Sequence, residues 1–188
     1  MDNSVLVLGA GASTNTRKSL WVFTGAAANP WVLTTVVKED SKGTVTARGE
    51  DGVLHVVAAQ DALHYANATV AENMVDLLHI NEPCILHNLA KRSKPEKKGG
   101  ALRPYTYIGN VLISVNPLKP VPDPPIESFR KADGTALPHP YSIAETAYRQ
   151  MLFSRGTKED PLSQSVVISG ESGAGKTEVS KMVLRYIT

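Results

Sequence analysis

A chain of 188 residues sets the scale of one domain, or one and a fraction. Its composition, 42% hydrophobic and 20% charged, is that of a globular protein, and a formal net charge of +2 is too small to argue for nucleic acid or an anionic membrane as partner. The single cysteine, Cys84, excludes an intrachain disulfide and suits a reducing compartment.

No apolar run nears the roughly 20 residues that span a bilayer, and Met1-Asp2-Asn3-Ser4 lacks the basic region of a signal peptide. A soluble, cytosolic chain is the expectation. Val5-Leu6-Val7-Leu8-Gly9-Ala10-Gly11-Ala12-Ser13 looks like a strand entering a dinucleotide-binding turn. That turn needs a helix next and an acidic residue about 20 positions on. Ser13 to Arg17 carries no helical stripe, so residues 1–19 read as a flexible N-terminal arm.

Residues 20–66 carry the signals of short strands. Trp21-Val22-Phe23 and Trp31 to Val37 are aromatic and β-branched; Thr44-Val45-Thr46 follows a Ser41-Lys42-Gly43 turn; Val53 to Val57 follows Asp51-Gly52. Such a series predicts a small antiparallel barrel or sandwich. His55 and His64 have no partners at a metal-ligand spacing and read as ordinary residues.

Further on, Asn81 or Glu82 can cap a helix with Pro83 in its first turn and Leu86, Leu89 and Ala90 as its buried stripe. Lys91 to Gly100 is the concentrated basic stretch; without interleaved aromatics it reads as a solvated loop rather than a contact for an acidic surface. Tyr105 to Val115 is the longest strand-like run, with Gly109 marking a bend or hairpin, and the proline-dense Pro117–Pro125 must be loop. A helix is expected from about Pro140 to Phe153, with Ile143, Ala144, Ala147, Tyr148 and Met151 on one face and Arg155-Gly156 as its stop.

The chemistry lies in Gly170-Glu171-Ser172-Gly173-Ala174-Gly175-Lys176-Thr177, which fits G-x-x-x-x-G-K-[ST] without a mismatch. Ser165 to Ser169 before it reads as a buried strand, and Val179, Met182, Val183, Tyr186 and Ile187 after it recur at helical spacing. Glycines let the backbone curl so that its N–H groups point inward, and the helix N-terminus adds its positive dipole end. Lys176 would reach the β- and γ-phosphates of a nucleotide, and the Thr177 hydroxyl would ligate Mg²⁺. Phosphoryl transfer also needs an acidic strand end and a group that orients water. No strand before the loop reads as ending in Asp or Glu, and the last helix is still amphipathic at Thr188. The expectation is a binding element within an incomplete machine.

Several stretches together resemble the N-terminal part of a myosin motor domain. They are Gly170 to Glu178; Asn81-Glu82-Pro83 with Leu86-His87-Asn88-Leu89; Tyr105-Thr106-Tyr107-Ile108-Gly109 through Val115-Asn116-Pro117; and Pro138-His139-Pro140-Tyr141-Ser142-Ile143-Ala144 with Ala147-Tyr148. The resemblance implies an α/β P-loop NTPase of the myosin/kinesin-like kind with an incomplete central sheet, preceded over residues 20–66 by a small SH3-like antiparallel β-barrel. Residues 67–188 would be the front of the motor domain. It implies Mg·ATP on Gly170, Glu171, Ser172, Gly173, Ala174, Gly175, Lys176 and Thr177, with Lys176 stabilising phosphate charge. Asn116 and Lys119 match the family positions near the adenine. The departures are a shorter loop after Pro117, with Pro124 near where a tyrosine commonly stacks, Val179 in place of a polar residue, and the basic stretch as an insertion.

The resemblance further implies an ATP-driven motor on actin filaments, placed in the cytoplasm with the actin cytoskeleton and a myosin complex. Light chains would sit on the lever arm. Switch I, switch II and the actin-binding region lie beyond the family positions that these residues match, so the 188 residues alone are expected to lack motor-rate hydrolysis and specific actin binding. The alternative is a stand-alone ATP-binding or interaction module without hydrolysis. A small-molecule kinase fits less well, because such kinases place the glycine loop near the N-terminus, whereas here it starts at Gly170.

Overall fold

The computed structural model describes residues 18–27, 30–58, 61, 64–94, 102–130, 137–153 and 163–188. The early glycine cluster, the tail of the basic stretch at 95–100 and the Arg155-Gly156 stop lie outside the described residues. The chain divides into two compact units, Met1–Ala66 and Asn67–Thr188.

The first unit is an antiparallel sheet of β1 (Ser19–Phe23), β2 (Trp31–Glu39), β3 (Val45–Gly49), β4 (Leu54–Val57) and β5 (His64–Tyr65), in the order β4-β3-β2-β1-β5. Its turns are built by acidic side chains. The Asp40 carboxylate accepts from the amides of Lys42 (2.9 Å) and Thr44 (2.8 Å), and that of Asp51 accepts from the Val53 amide (2.9 Å). Alternation along β3 buries Val45 and Ala47 against Leu20, with Val22, Val36, Val57 and Tyr65 packed around them. Thr34, opposite Leu20 in the ladder, is buried only because its hydroxyl donates to the Leu20 carbonyl at 2.7 Å. The two-residue β5 carried too short a signal to be read from sequence.

Within the second unit, α1 (Glu82–Arg92) is capped by Asn81, whose side chain accepts from the Cys84 amide at 3.0 Å, and Pro83 sits in its first turn. Strands β6 (Tyr105–Ile108) and β7 (Val111–Ser114) form the hairpin around Gly109. Helices α2 (Pro140–Phe153) and α3 (Lys176–Ile187) share a core of Phe129, Tyr141, Ala144, Val183 and Tyr186. The Tyr186 hydroxyl donates to Glu145 at 2.7 Å, so its one polar atom is satisfied at the edge of that core. No described helix is long and apolar enough to cross a membrane.

Several expectations are corrected. Ser165 to Ser169 is not a buried strand: residues 163–170 carry no ladder, and Val167 is 88% exposed. A β-branched run becomes a strand only where another strand takes up its backbone groups, and no described strand lies alongside. Helix α1 buries Pro83, Cys84, Asn88 and Arg92, while Leu86 and Ala90 face outward. Asn88 is buried because its carboxamide closes on the Ala71 backbone, accepting from N at 2.8 Å and donating to O at 3.1 Å. Arg92, assigned to a solvated basic loop, is the last helical residue and 6% exposed. Its guanidinium donates to Thr106 Oγ1 (3.0 Å) and the Tyr105 carbonyl (3.2 Å), with Glu72 at 3.7 Å. On α2 the buried face is Tyr141, Ser142 and Ala144, and Tyr148 and Met151 are exposed. One strand does end in an acid, since β2 runs to Glu39, in the first unit.

Candidate functional site: the glycine loop

Helix α3 starts at Lys176, directly after Gly175, which stands at the N-cap in the left-handed region with φ 95°. An L-residue pays for that conformation and glycine does not. The first turn closes on Gly175, whose carbonyl accepts from the amides of Glu178 and Val179, both at 3.1 Å. No side chain caps the helix among the described residues. Its leading amides thus face the loop with the positive end of the helix dipole behind them.

The loop itself turns at Glu171–Ala174, where the Ala174 amide donates to the Glu171 carbonyl at 3.2 Å. Close packing explains the first glycine: a Cβ on Gly170 would lie 3.2 Å from the Ala174 Cβ. Lys176 folds back over the loop, and its ammonium donates to the carbonyls of Gly170 and Glu171, each at 2.8 Å. A cation therefore stands over the curl of backbone, held by two exposed carbonyl acceptors. Glu171, Ser172 and Thr177 are exposed, and Gly173 stands at the outer bend.

Of the two residues placed near the base by resemblance, the structure brings Asn116 to the loop. Its Nδ2 donates to the Gly173 carbonyl at 2.7 Å, and its Oδ1 accepts from the Leu118 amide at 2.9 Å. Leu118 follows with φ 54°, the only described non-glycine residue at positive φ, and is 87% exposed. Lys119 is exposed on the same segment.

The far end of that segment is anchored as well. Asp123 accepts from the Tyr141 hydroxyl at 3.2 Å and from Arg185 at 2.5 Å, so a carboxylate between prolines joins the segment to both α2 and α3. Burial raises the Tyr105 phenol to about 12, with Asp123 adding to the shift, and that hydroxyl donates to Met182 Sδ on α3 at 3.4 Å. Sequence reasoning missed Asp123 and Arg185, which stand 62 positions apart with no motif linking them.

Among the described residues no group of three or more His, Cys, Asp or Glu side chains could hold a metal. The loop fits a different mode, in which Mg²⁺ takes one protein hydroxyl and completes its shell with phosphate oxygens and water. The donor set, one ammonium, one threonine hydroxyl and a helix N-terminus, suits a polyphosphate that brings the metal with it.

The myosin head (motor domain) family model matches residues 71–188. Myosin-1 of Arabidopsis thaliana is 36% identical over 163 residues, which cover 84% of this chain and 13% of its own length. The high molecular weight form of myosin-1 of Acanthamoeba castellanii is 40% identical over 159 residues, or 80% of this chain and 9% of that protein. Unconventional myosin-VI of Sus scrofa is 43% identical over 122 residues, or 62% and 9%. The chain spans about a tenth of the length of the curated relatives it matches.

Proposed function

The chain belongs to the myosin head (motor domain) family, and from that premise we propose that Gly170 to Thr177 is a P-loop that holds the phosphates of Mg·ATP. The observation that carries the reading is the Lys176 ammonium poised over a glycine curl at an uncapped helix N-terminus. On binding, Lys176 leaves the Gly170 and Glu171 carbonyls for the β- and γ-phosphates, and the Thr177 hydroxyl joins the Mg²⁺ shell. Mg²⁺ held there would supply charge neutralisation at the phosphate oxygens. Asn116, which touches the loop, and Lys119, exposed on the same segment after β7, are the residues assigned to the base side.

In this reading residues 20–66 are an SH3-like barrel and 67–188 the front of a myosin-type P-loop NTPase; the arm expected over residues 1–19 lies outside the described residues up to 17, and Ser19 already belongs to β1. The five-stranded order of the first unit supports the barrel assignment. ATP-driven movement along actin, a cytoplasmic place in the actin cytoskeleton and light-chain partners are proposals for the whole motor. For this chain the proposed activity is Mg·ATP binding. Fluorescent ATP-analogue titration tests it. Saturable, Mg²⁺-dependent binding is expected, weakened at least tenfold in Lys176→Ala, and equal affinity in the two proteins sinks the assignment.

A further inference from the structure

Asn116 has a carboxamide that is already spoken for. One end is fixed by the Leu118 amide on Oδ1 at 2.9 Å, which makes an Asx turn out of Asn116-Pro117-Leu118. The other reaches across 57 positions of sequence to the Gly173 carbonyl at 2.7 Å. Gly173 is the residue at the outer bend of the glycine loop, with φ 81°. The carboxamide also lies beside Gly175, where an added Cβ would stand 3.9 Å from the Asn116 Cγ, an ordinary van der Waals contact.

We propose that Asn116 is a positioning residue for the phosphate loop, clamping the Gly173 carbonyl, and not a reader of the nucleotide base. The inference rests on the P-loop reading above. A carbonyl at the bend of a phosphate cradle is a liability: turned inward, it presents negative charge to an anion. Drawn outward onto the Asn116 amide, it lets the neighbouring N–H groups face in. The turn holds the clamp at the right reach, and it does so at a cost. Leu118 is kept in the left-handed region with an exposed apolar side chain, a conformation that persists only where the surroundings impose it.

The clamp and a base contact predict different ligand dependence. Inorganic tripolyphosphate has the phosphates of ATP without the base. In the 188-residue chain, Asn116→Ala should weaken Mg·ATP and Mg·tripolyphosphate by the same factor, about three- to tenfold for one neutral hydrogen bond. Far-UV circular dichroism of the helices should stay unchanged. Loss of ATP affinity with tripolyphosphate affinity intact would mean that Asn116 reads the base, and would overturn the proposal.

Amide hydrogen exchange without ligand separates this from the fate of the P-loop reading. Asn116→Asp keeps an acceptor for the Leu118 amide but has no donor for Gly173. Faster exchange confined to residues 170–178 is expected in both Asn116→Ala and Asn116→Asp. Unchanged exchange there in both variants also overturns the clamp. A wild-type chain that binds neither ligand sinks the P-loop reading and the clamp's role in ligand holding, while the exchange data still report whether the tether exists.

Discussion

His139 stands immediately before α2, and its Nδ1 accepts from the Tyr141 amide at 3.1 Å, so the imidazole does the work of a helix cap. An acceptor nitrogen must be unprotonated. The rings of Tyr105, Phe129 and Tyr141 surround it. Burial pushes its pKa down from 6.5 to about 4, with nearby Asp123 pulling the other way. The sign follows directly. Between about pH 6.5 and 4 the unfolded chain takes up a proton that the folded chain refuses, so stability held above that window is lost as pH falls through it. Urea midpoints followed at 222 nm should fall across the window, and His139→Asn, which keeps a cap acceptor but does not titrate, should flatten the slope. Parallel slopes would remove His139 from the account.

Arg92 makes a second claim at the same scale. Its partners, the buried Thr106 hydroxyl and the Tyr105 carbonyl, lose their donor if it is truncated. Arg92→Ala should cost about 2–4 kcal/mol, from unpaired buried groups more than from the exposed Glu72 pair. Urea unfolding measures it, and a change under 0.5 kcal/mol, of the order of an exposed substitution, contradicts the burial argument.

Among the elements, Gly175 is the position where local backbone and function meet. Gly175→Ala must hold an L-residue at φ 95°, which costs about 1–2 kcal/mol, and it places a methyl group near Asn116. Lower protection of the first α3 turn by hydrogen exchange is the expected outcome, together with weaker nucleotide binding. Protection equal to wild type would mean that the left-handed cap is not required.

Elements signalled by neighbours in sequence were legible: the Ser41-Lys42-Gly43 and Asp51-Gly52 turns, the Gly109 hairpin, the α1 cap with Pro83, and the starts of α2 and α3. Helix faces were less so. Hydrophobic spacing favoured Leu86 and Ala90, but the buried positions go to Asn88 and Arg92, whose hydrogen-bond partners lie on distant segments. No periodicity encodes a partner. The glycine turn into α3 was readable because it is local in sequence, while the Asn116–Gly173 bond and the Asp123–Arg185 pair exist only after folding brings remote segments together.

On the scale of the molecule, the unmatched feature is the run from Ser165 to Ser169. Its β-branched residues suit a buried strand, yet Val167 is 88% exposed and the run has no ladder among the described residues. Backbone donors and acceptors without a protein partner take water, or a second chain that offers a strand. A short, uncharged β-branched segment is the kind that accepts the second option. The 188-residue chain should therefore associate with rising concentration. Val167→Lys puts a charge where the segment would pair and should suppress that association, without altering helix content, because the side chain has no burial to lose. Light scattering over a concentration series, read beside circular dichroism, decides it. Identical concentration dependence in wild type and Val167→Lys would move the sticky surface elsewhere, with the exposed Leu54 and Val56 of β4 next to be substituted.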